Sequence, residues 1–260
     1  PENLRRPEDL PSYWVAAGRY LDATDDGTRV LELPGADFTS YRWGTTVDPV
    51  TPGLTDRPIV ARELVPMGSA AAANLLKALD GRFQADIAEP AMVAPTARLM
   101  RAGQILLRSD LRYEHYDTPR PRDLWRFLAT TPGLGPVTEF GAPTANVAAA
   151  PAPMLDEREL SSDPSPLDPF PVSVIAVPAT RPIVTTQRTA APVIVAGDGE
   201  GLVDSAAAGL IDGNELIRYS ASLSDRDLAS ALAEHAALIL TDTNRRRAER
   251  WGSIRFTSGY

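Results

Sequence analysis

The sequence contains no cysteine and only two histidines, His115 and His235. The absence of cysteine excludes a disulfide framework and any metal site built on thiolates. Two isolated histidines are a poor basis for a zinc site, because such sites draw most of their ligands from cysteine and histidine. We therefore predict no metal ion and no cofactor in this chain. His235 is interpreted as a structural residue near the C-terminal end of a helix.

Long hydrophobic runs are also missing. The most apolar stretch, residues 228–240, is interrupted by Glu234 and His235, whereas a membrane-spanning helix needs roughly 18 apolar residues. Lysine and arginine together number 26 against 34 aspartates and glutamates, which gives a formal net charge of −8. Nucleic-acid binding depends on a concentrated basic surface, so this balance argues against a nucleic-acid partner.

The alternation of helical and strand patterns predicts an α/β fold made of two small units. Residues 1–130 form the first unit, and residues 131–171 form a Pro/Ala-rich linker or wrapping segment in which periodicity disappears. Residues 172–260 form a Rossmann-like unit. Its strand patterns alternate with helical patterns, which predicts a short parallel sheet built as β-α-β-α-β. The strands expected in this unit are residues 172–177, 193–196, 215–219 and 237–241.

Polar and small residues mark several helix ends. Ser12, Ser69 and Ser224 are predicted to cap helices, because a serine hydroxyl accepts a hydrogen bond from a free backbone N–H of the first turn. A short helix is expected over residues 96–102, leading through Gly103 into a strand over residues 104–108.

The run Gly197-Asp198-Gly199-Glu200-Gly201 follows a strand and precedes a helix. A glycine loop in that position can cradle a phosphate at the helix N-terminus. The spacing departs from the full dinucleotide-binding motif, and two carboxylates inside the loop would repel a phosphate. A tight strand-to-helix turn is therefore favoured over nucleotide binding.

The carboxyl ends of parallel strands are the usual position of a ligand pocket. In the second unit that edge brings together Asp242, Asn244 and Arg245, which we regard as a secondary pocket. The alternative is ordinary capping of the helices by polar residues such as Asn244.

The most distinctive polar and aromatic cluster lies in residues 37–48. Five members suit a carbohydrate surface, because aromatic planes pack against sugar C–H groups while charged groups bond the hydroxyls. The alternative is that the aromatic residues anchor the loop to the core, and the residues alone favour this alternative. The candidate contacts are Asp37, Tyr41, Arg42, Trp43 and Asp48.

Several motifs resemble the alpha-(1→3)-arabinofuranosyltransferase family, a group of multi-pass GT-C-type enzymes of the mycobacterial and corynebacterial cell wall. The similar segments are Leu10-Pro11-Ser12-Tyr13-Trp14, Arg29-Val30-Leu31-Glu32-Leu33-Pro34-Gly35-Ala36-Asp37-Phe38, Tyr41-Arg42-Trp43-Gly44-Thr45-Thr46-Val47-Asp48, Arg98-Leu99-Met100-Arg101-Ala102-Gly103, Leu106-Leu107-Arg108-Ser109-Asp110-Leu111, and Asp242-Thr243-Asn244-Arg245-Arg246-Arg247 with Trp251.

The resemblance implies transfer of arabinofuranose from decaprenyl-phosphate arabinose to the arabinan of arabinogalactan and lipoarabinomannan. The family's catalytic carboxylate lies in its multi-spanning part, which we expect to lie outside this chain, so no catalytic residue is assigned here. The chain starts at Pro1 with no initiator methionine, in line with a piece of a longer polypeptide.

We accordingly expect an accessory region on the extracytoplasmic, periplasmic face of the plasma membrane. Its partners would be the membrane-embedded part and the carbohydrate-binding domains of the same polypeptide, and arabinan is a candidate ligand of residues 37–48. Two alternatives remain open: a purely structural scaffold, and a free-standing nucleotide-dependent α/β enzyme that uses the Gly197 loop.

Overall fold

The computed structural model describes residues 9–64, 68–116, 118–148, 168–186 and 191–244. Over these residues the chain has the α/β fold that the sequence predicts. The helices are α1 Ser12–Ala23, α2 Ala70–Gln84, α3 Pro90–Leu99, α4 Pro121–Ala129, α5 Gly199–Ala207 and α6 Asp225–Ala233. The strands are β1 Arg29–Leu33, β2 Thr39–Ser40, β3 Thr45–Val47, β4 Ile59–Val60, β5 Ala102–Arg108, β6 Val137–Phe140, β7 Val172–Ala176, β8 Val193–Ala196, β9 Ile217–Tyr219 and β10 Ala237–Leu240.

The strands form two main sheets and a short hairpin. In the larger sheet the order is β4-β1-β5-β7-β6, with β1 parallel to β4 and β5, and β7 antiparallel to β5 and β6. The smaller sheet has the order β10-β8-β9 and is parallel throughout. Strands β2 and β3 form the hairpin. The parallel β-α-β-α-β arrangement expected in the second half of the chain is therefore confirmed for β8, α5, β9, α6 and β10.

Two strands lie where the sequence did not lead us to expect them. Strand β7 was predicted to belong with the second unit but is hydrogen-bonded into the larger sheet. Strand β6 falls inside the predicted linker 131–171 and forms an edge of that sheet. Its apolar residues, Val137 and Phe140, are three positions apart, so the period-two pattern of a half-buried strand is lacking. The bounds of the two units stay a prediction.

Strand β5 is the centre of the larger sheet, and each of its seven residues is buried. Leu106 contributes to a cluster with Trp14, Ala17 and Leu21, so α1 covers one face of the sheet. Ile105 and Leu107 belong to a second cluster, which also contains residues of α2, α3 and α4. Side chains alternate across a strand, and β5 therefore separates two apolar layers.

The second layer continues into the smaller sheet. The cluster that holds Ile105 also includes Leu202 and Val203 of α5 and Val195 of β8. At the contact between α5 and α2, the Gly199 N–H donates to the side-chain oxygen of Asn74, 2.6 Å away. The two halves of the chain thus share one apolar core, and α5 joins them.

The helix ends agree in part with the sequence analysis. The Ser69 hydroxyl accepts a hydrogen bond from the Ala72 N–H (3.2 Å) and the Ser224 hydroxyl accepts one from the Asp227 N–H (3.1 Å), so both caps are confirmed. At α1 the prediction was wrong, because the capping position is held by Pro11 and makes no side-chain bond.

The helix expected over residues 96–102 was also placed wrongly. Helix α3 begins at Pro90, passes through Pro95, and ends at Leu99. A proline at the first helical position is favourable because its missing N–H has no partner there. The second proline masked the helical pattern, since a proline inside a helix removes a backbone hydrogen bond. None of the helices in the described ranges is long and apolar enough to cross a bilayer.

The contact between α5 and α2 generates a first prediction. A Cβ added at Gly199 would lie 2.7 Å from the backbone N and Cα of Leu75, so Gly199→Ala must push the two helices apart. We expect a loss of about 1–3 kcal/mol in the free energy of unfolding, measured by urea denaturation.

Gly81→Ala, in the last turn of α2, is the matched control. A Cβ there meets no atom within 4 Å, and replacing a helical glycine by alanine stabilises by roughly 0.5–1 kcal/mol. Equal shifts of the two unfolding midpoints in the same direction would show that α5 and α2 are not closely packed.

Candidate functional site

Residues 37–48 lie against a second segment, residues 110–116, which follows β5. The two segments are antiparallel, with an isolated bridge between Tyr41 and Leu111. The Arg42 N–H donates to the carbonyl of Asp110 (2.8 Å), and the Arg112 N–H donates to the carbonyl of Ser40 (2.8 Å). Residues 110–112, just after β5, therefore hold residues 40–42 of the loop in place.

The centre of this contact is Asp110, which accepts three side-chain hydrogen bonds on one carboxylate oxygen. The donors to Oδ2 are the Tyr13 hydroxyl (2.9 Å) and the indole N–H groups of Trp14 (2.9 Å) and Trp43 (3.0 Å). The other oxygen, Oδ1, is buried without a hydrogen-bond partner. Burial raises the pKa of Asp110 from 3.8 to about 6, although the three donors act in the opposite direction. We call these four residues the Asp110 cluster.

Tyr41 lies beneath Trp43 and is completely buried. Their rings stack with centroids 4.6 Å apart and planes 12° apart, and Tyr41 also meets the edge of Trp14 at 5.4 Å. The Tyr41 hydroxyl accepts a hydrogen bond from the Val50 N–H at 3.3 Å. Tyr41 therefore supports Trp43 and offers no surface to a ligand, which differs from the direct contact predicted. Trp43 itself is only partly buried.

Arg42 joins three parts of the chain. Its two terminal nitrogens donate to the two carboxylate oxygens of Glu114 at 2.6 and 2.7 Å, and its Nε donates to the side-chain oxygen of Asn146. The guanidinium also lies over the ring of Tyr113, 5.5 Å from its centroid. Paired charges with fixed bidentate geometry are rigid, so Arg42 holds the shape of this surface.

The two predicted carboxylates lie at the ends of the loop. Asp37 pairs with Arg62 at 2.5 Å, and Arg62 also binds the buried Asp80. Burial raises the pKa of Asp80. Asp48 is exposed beyond the β2–β3 hairpin. Asp37 is thus committed to an ion pair.

Two exposed aromatic side chains complete the surface. Phe38 is 38% exposed and Tyr116 is 42% exposed, and their ring centroids lie 5.6 Å apart. The sequence analysis did not assign Tyr116 to the site. The run Tyr113-Glu114-His115-Tyr116 could have indicated it, because this run combines aromatic and charged residues as residues 37–48 do. We call Phe38, Trp43, Tyr113 and Tyr116 the aromatic strip.

The Gly197 loop forms a tight turn, as the sequence favoured. The Asp198 carboxylate accepts hydrogen bonds from the N–H groups of Glu200 (3.0 Å) and Gly201 (3.2 Å), and Asn74 takes the Gly199 N–H. The N-terminal donors that would bind a phosphate are therefore bonded to protein carboxylate and amide oxygens.

The secondary pocket predicted beside this loop is largely filled by threonines. The Thr243 hydroxyl accepts a bond from the Asp198 N–H (3.1 Å) and lies 2.9 Å from the Thr241 hydroxyl. A Cβ at Gly197 would approach the Thr241 hydroxyl to 2.1 Å. Asp242 is exposed. Asn244 closes the last 3-10 turn, and Arg245 lies outside the described residues.

The histidines occupy unrelated positions. His115 is exposed, with its ring centroid 5.8 Å from that of Tyr116. His235 lies just beyond the C-terminal end of α6, as predicted, with φ of 64°, and its side chain is exposed. Across the described ranges, no group of three or more His, Asp or Glu residues is arranged to hold a metal ion.

Asp110 generates a prediction about pH. Its pKa in the folded protein is raised from 3.8 to about 6, so the folded state binds the proton more tightly and loses stability as the pH rises through this window. Asp110→Asn does not titrate and retains an oxygen acceptor. Between about pH 4 and about pH 7, the unfolding free energy of the wild type should fall relative to this variant by at most about 3 kcal/mol.

Denaturant unfolding at several pH values measures this difference, with the exposed-residue variant Asp48→Asn as the control. A difference between the wild type and Asp110→Asn that stays constant over the range would contradict a raised pKa at Asp110.

Comparison with known proteins places the chain in a family. Residues 5–259 match the family model described as "Alpha-(1->3)-arabinofuranosyltransferase, N-terminal GT-C domain". The alpha-(1→3)-arabinofuranosyltransferase of Mycobacterium tuberculosis is 35% identical over 138 residues, and that of Mycolicibacterium smegmatis is 31% identical over 136 residues. Each alignment covers 52% of this chain and 10% of the relative, so the chain spans about a tenth of the length of these curated relatives.

Solved structures agree on the fold. A cryo-EM structure of a mutant of the arabinofuranosyltransferase AftD from mycobacteria aligns with a TM-score of 0.65 and 21% identity, covering 96% of this chain and 20% of that one. A further AftD structure gives a TM-score of 0.59 with 23% identity, covering 80% and 17%. The chain therefore belongs to the alpha-(1→3)-arabinofuranosyltransferase family of GT-C glycosyltransferases, and its residues match that family's N-terminal GT-C domain.

Proposed function

We propose that this chain is an accessory region of a membrane arabinofuranosyltransferase and that its aromatic strip contacts the acceptor glycan. The intact enzyme would transfer arabinofuranose from decaprenyl-phosphate arabinose to cell-wall arabinan. The accessory region would lie on the periplasmic face of the membrane, beside the membrane-embedded part and the carbohydrate-binding domains of the same polypeptide. The catalytic carboxylate would lie on the membrane-embedded part.

The observation that carries the glycan contact is the exposed, mutually packed pair of Phe38 and Tyr116, together with the partly exposed Trp43 of the same loop as Phe38. Aromatic rings present flat apolar area, against which the C–H faces of a sugar ring pack. Soluble proteins do not usually gather aromatic side chains at a surface unless that surface binds something.

The support beneath the strip also suits binding. Asp110 holds the indole of Trp43 by its N–H group, Tyr41 stacks under the ring, and Arg42 is locked to Glu114. A surface fixed before the ligand arrives loses little conformational entropy on binding. Arg42 retains part of its surface, since its side chain is 24% exposed, and its remaining N–H groups can donate to sugar hydroxyls.

Titration of the 260-residue chain with arabinan oligosaccharides tests the contact. The chain has four tryptophans, so their indole N–H signals are resolved by NMR and assigned through single Trp→Phe variants. We expect the Trp43 signal to shift at millimolar ligand while the Trp125 signal, from helix α4, stays in place. An unchanged Trp43 signal would exclude the strip as a glycan contact.

Substitution of the exposed pair tests the same contact in the intact enzyme. Phe38→Ala with Tyr116→Ala removes two stacking rings, each worth about 0.5–1.5 kcal/mol, and should weaken oligosaccharide binding about tenfold and lower polymer synthesis. Leu240→Ala, an exposed apolar residue of the smaller sheet, is the control. Unchanged synthesis in the double variant would favour a scaffold that binds no sugar.

A further inference from the structure

Strand β10 is an edge of the smaller sheet and pairs on one side with β8. The Thr241 N–H donates to the carbonyl of Ala196 (3.2 Å), so the backbone groups of Ile239 face β8 as well. Because this direction alternates along a strand, the N–H and C=O groups of Leu238 and Leu240 point away from the sheet. An edge of this kind can pair with one further extended segment.

The same edge exposes apolar side chains. Leu238 is 43% exposed and Leu240 is 68% exposed. Both side chains lie on the face opposite that of Ile239, which packs against the main core. An exposed apolar edge strand is a site where another segment or another molecule binds, and native proteins usually cover such an edge.

Helix α6 covers this face only thinly. Right-handed crossovers place α5 and α6 on opposite faces of the smaller sheet, and α5 lies on the side of the main core. None of the nine residues of α6 is buried, and Leu232 in its last turn is 39% exposed. The face that carries Leu238 and Leu240 therefore has apolar area left to cover.

The surroundings of the edge are acidic. Residues 225–242 contain four exposed carboxylates and a single arginine, Arg226. Complementary charge favours one partner over another, so the occupant of this edge should combine apolar side chains with positive charge. The four carboxylates are Asp225, Asp227, Glu234 and Asp242.

The chain itself has this combination in residues 245–257, which directly follow Asn244. Residues 245–250 contain four arginines and one glutamate, and Ile254 and Phe256 stand at alternate positions among polar residues. In an extended segment both apolar side chains would point to the same side.

The connection is long enough for the chain to return along β10. Residues 245–250 can span up to about 20 Å, whereas a strand of four residues is roughly 13 Å long. A segment tethered this close to the edge also has a high effective concentration there, which gives it an advantage over a free partner.

We propose that residues 253–257 of the same chain occupy the edge of β10. Ile254 and Phe256 pack on Leu238 and Leu240, and the arginines of residues 245–250 offset the carboxylates around the edge. The edge is thereby closed within one chain and does not pair with a second copy. This contact is independent of the aromatic strip and of any glycan bound there.

Amide hydrogen exchange of the 260-residue chain, followed by NMR, tests the occupant. The N–H groups of Leu238 and Leu240 should exchange at least tenfold more slowly in the wild type than in the double variant Ile254→Asp with Phe256→Asp. The Ile239 N–H faces β8 and should stay protected in both proteins, which shows that the sheet remains folded. Fast exchange of Leu238 and Leu240 in the wild type would overturn the proposal.

A matched double variant adds the same charge on the other side of the segment. Ser253→Asp with Thr257→Asp leaves Ile254 and Phe256 in place, so the protection of Leu238 should be retained. Equal loss of protection in both double variants would mean that the apolar side chains do not make the contact, and the proposal would fail.

Cross-linking separates this occupant from a second copy, and the absence of cysteine makes the products unambiguous. Ala237 is exposed on β10, and Leu210, just after α5, is 59% exposed. With a short bismaleimide, Ala237→Cys with Ser258→Cys should form an intramolecular cross-link at least tenfold faster than Leu210→Cys with Ser258→Cys. Equal rates for the two pairs, or cross-linked dimers from the Ala237 pair, would each refute the proposal, and dimers would identify a second copy as the occupant.

Discussion

The complete burial of β5 is the constraint on which the rest of the structure depends. A strand covered on both faces requires an apolar layer on each side, supplied by α1 on one side and by α2, α3 and α4 on the other. The polar residues that β5 carries on the α1 side must then find partners inside the protein. Gln104 meets Arg57, and Arg108 meets Glu32 and the carbonyl of Pro34. The Asp110 cluster lies next to this polar lining.

Much of the fold is predictable from local patterns in the sequence. The two strands that were placed wrongly, β6 and β7, show where such patterns fail. The parallel sheet of β8, β9 and β10 follows from short apolar runs separated by capped helices, and Ser224 marks one of those caps without ambiguity. Strand β6 lacks an alternating pattern in its sequence, because the apolar Val137 is exposed and the polar Thr138 is half-buried at this edge of the sheet. The sequence predicts β7 correctly as a strand. The sheet that it joins is determined by its pairing with β5, and no local pattern in the sequence indicates that pairing.

The sequence indicates where the candidate site lies but not which contacts hold it together. Residues 37–48 were singled out because aromatic and charged residues are concentrated there. The bonds from Tyr13 and Trp14 to Asp110 join residues 97 and 96 positions apart, and composition carries no trace of such pairings. The same holds for Tyr41, whose type suits a sugar-binding surface as well as a core. Only the tertiary structure shows that Tyr41 is buried and that Tyr116 takes the exposed position.

Asn146, shortly after β6, links its own segment to the residues around Asp110 and to Arg42. Its side-chain N–H groups donate to the carbonyls of Ser109 (2.6 Å) and Leu111 (2.9 Å), on either side of Asp110, and its oxygen accepts from Arg42. One amide side chain thus joins three segments of the chain: its own, residues 109–111, and the loop that carries Arg42. Residues 141–148 therefore do more than continue the chain, because a displacement of Asn146 would disturb the backbone on both sides of Asp110 and the position of Arg42 together.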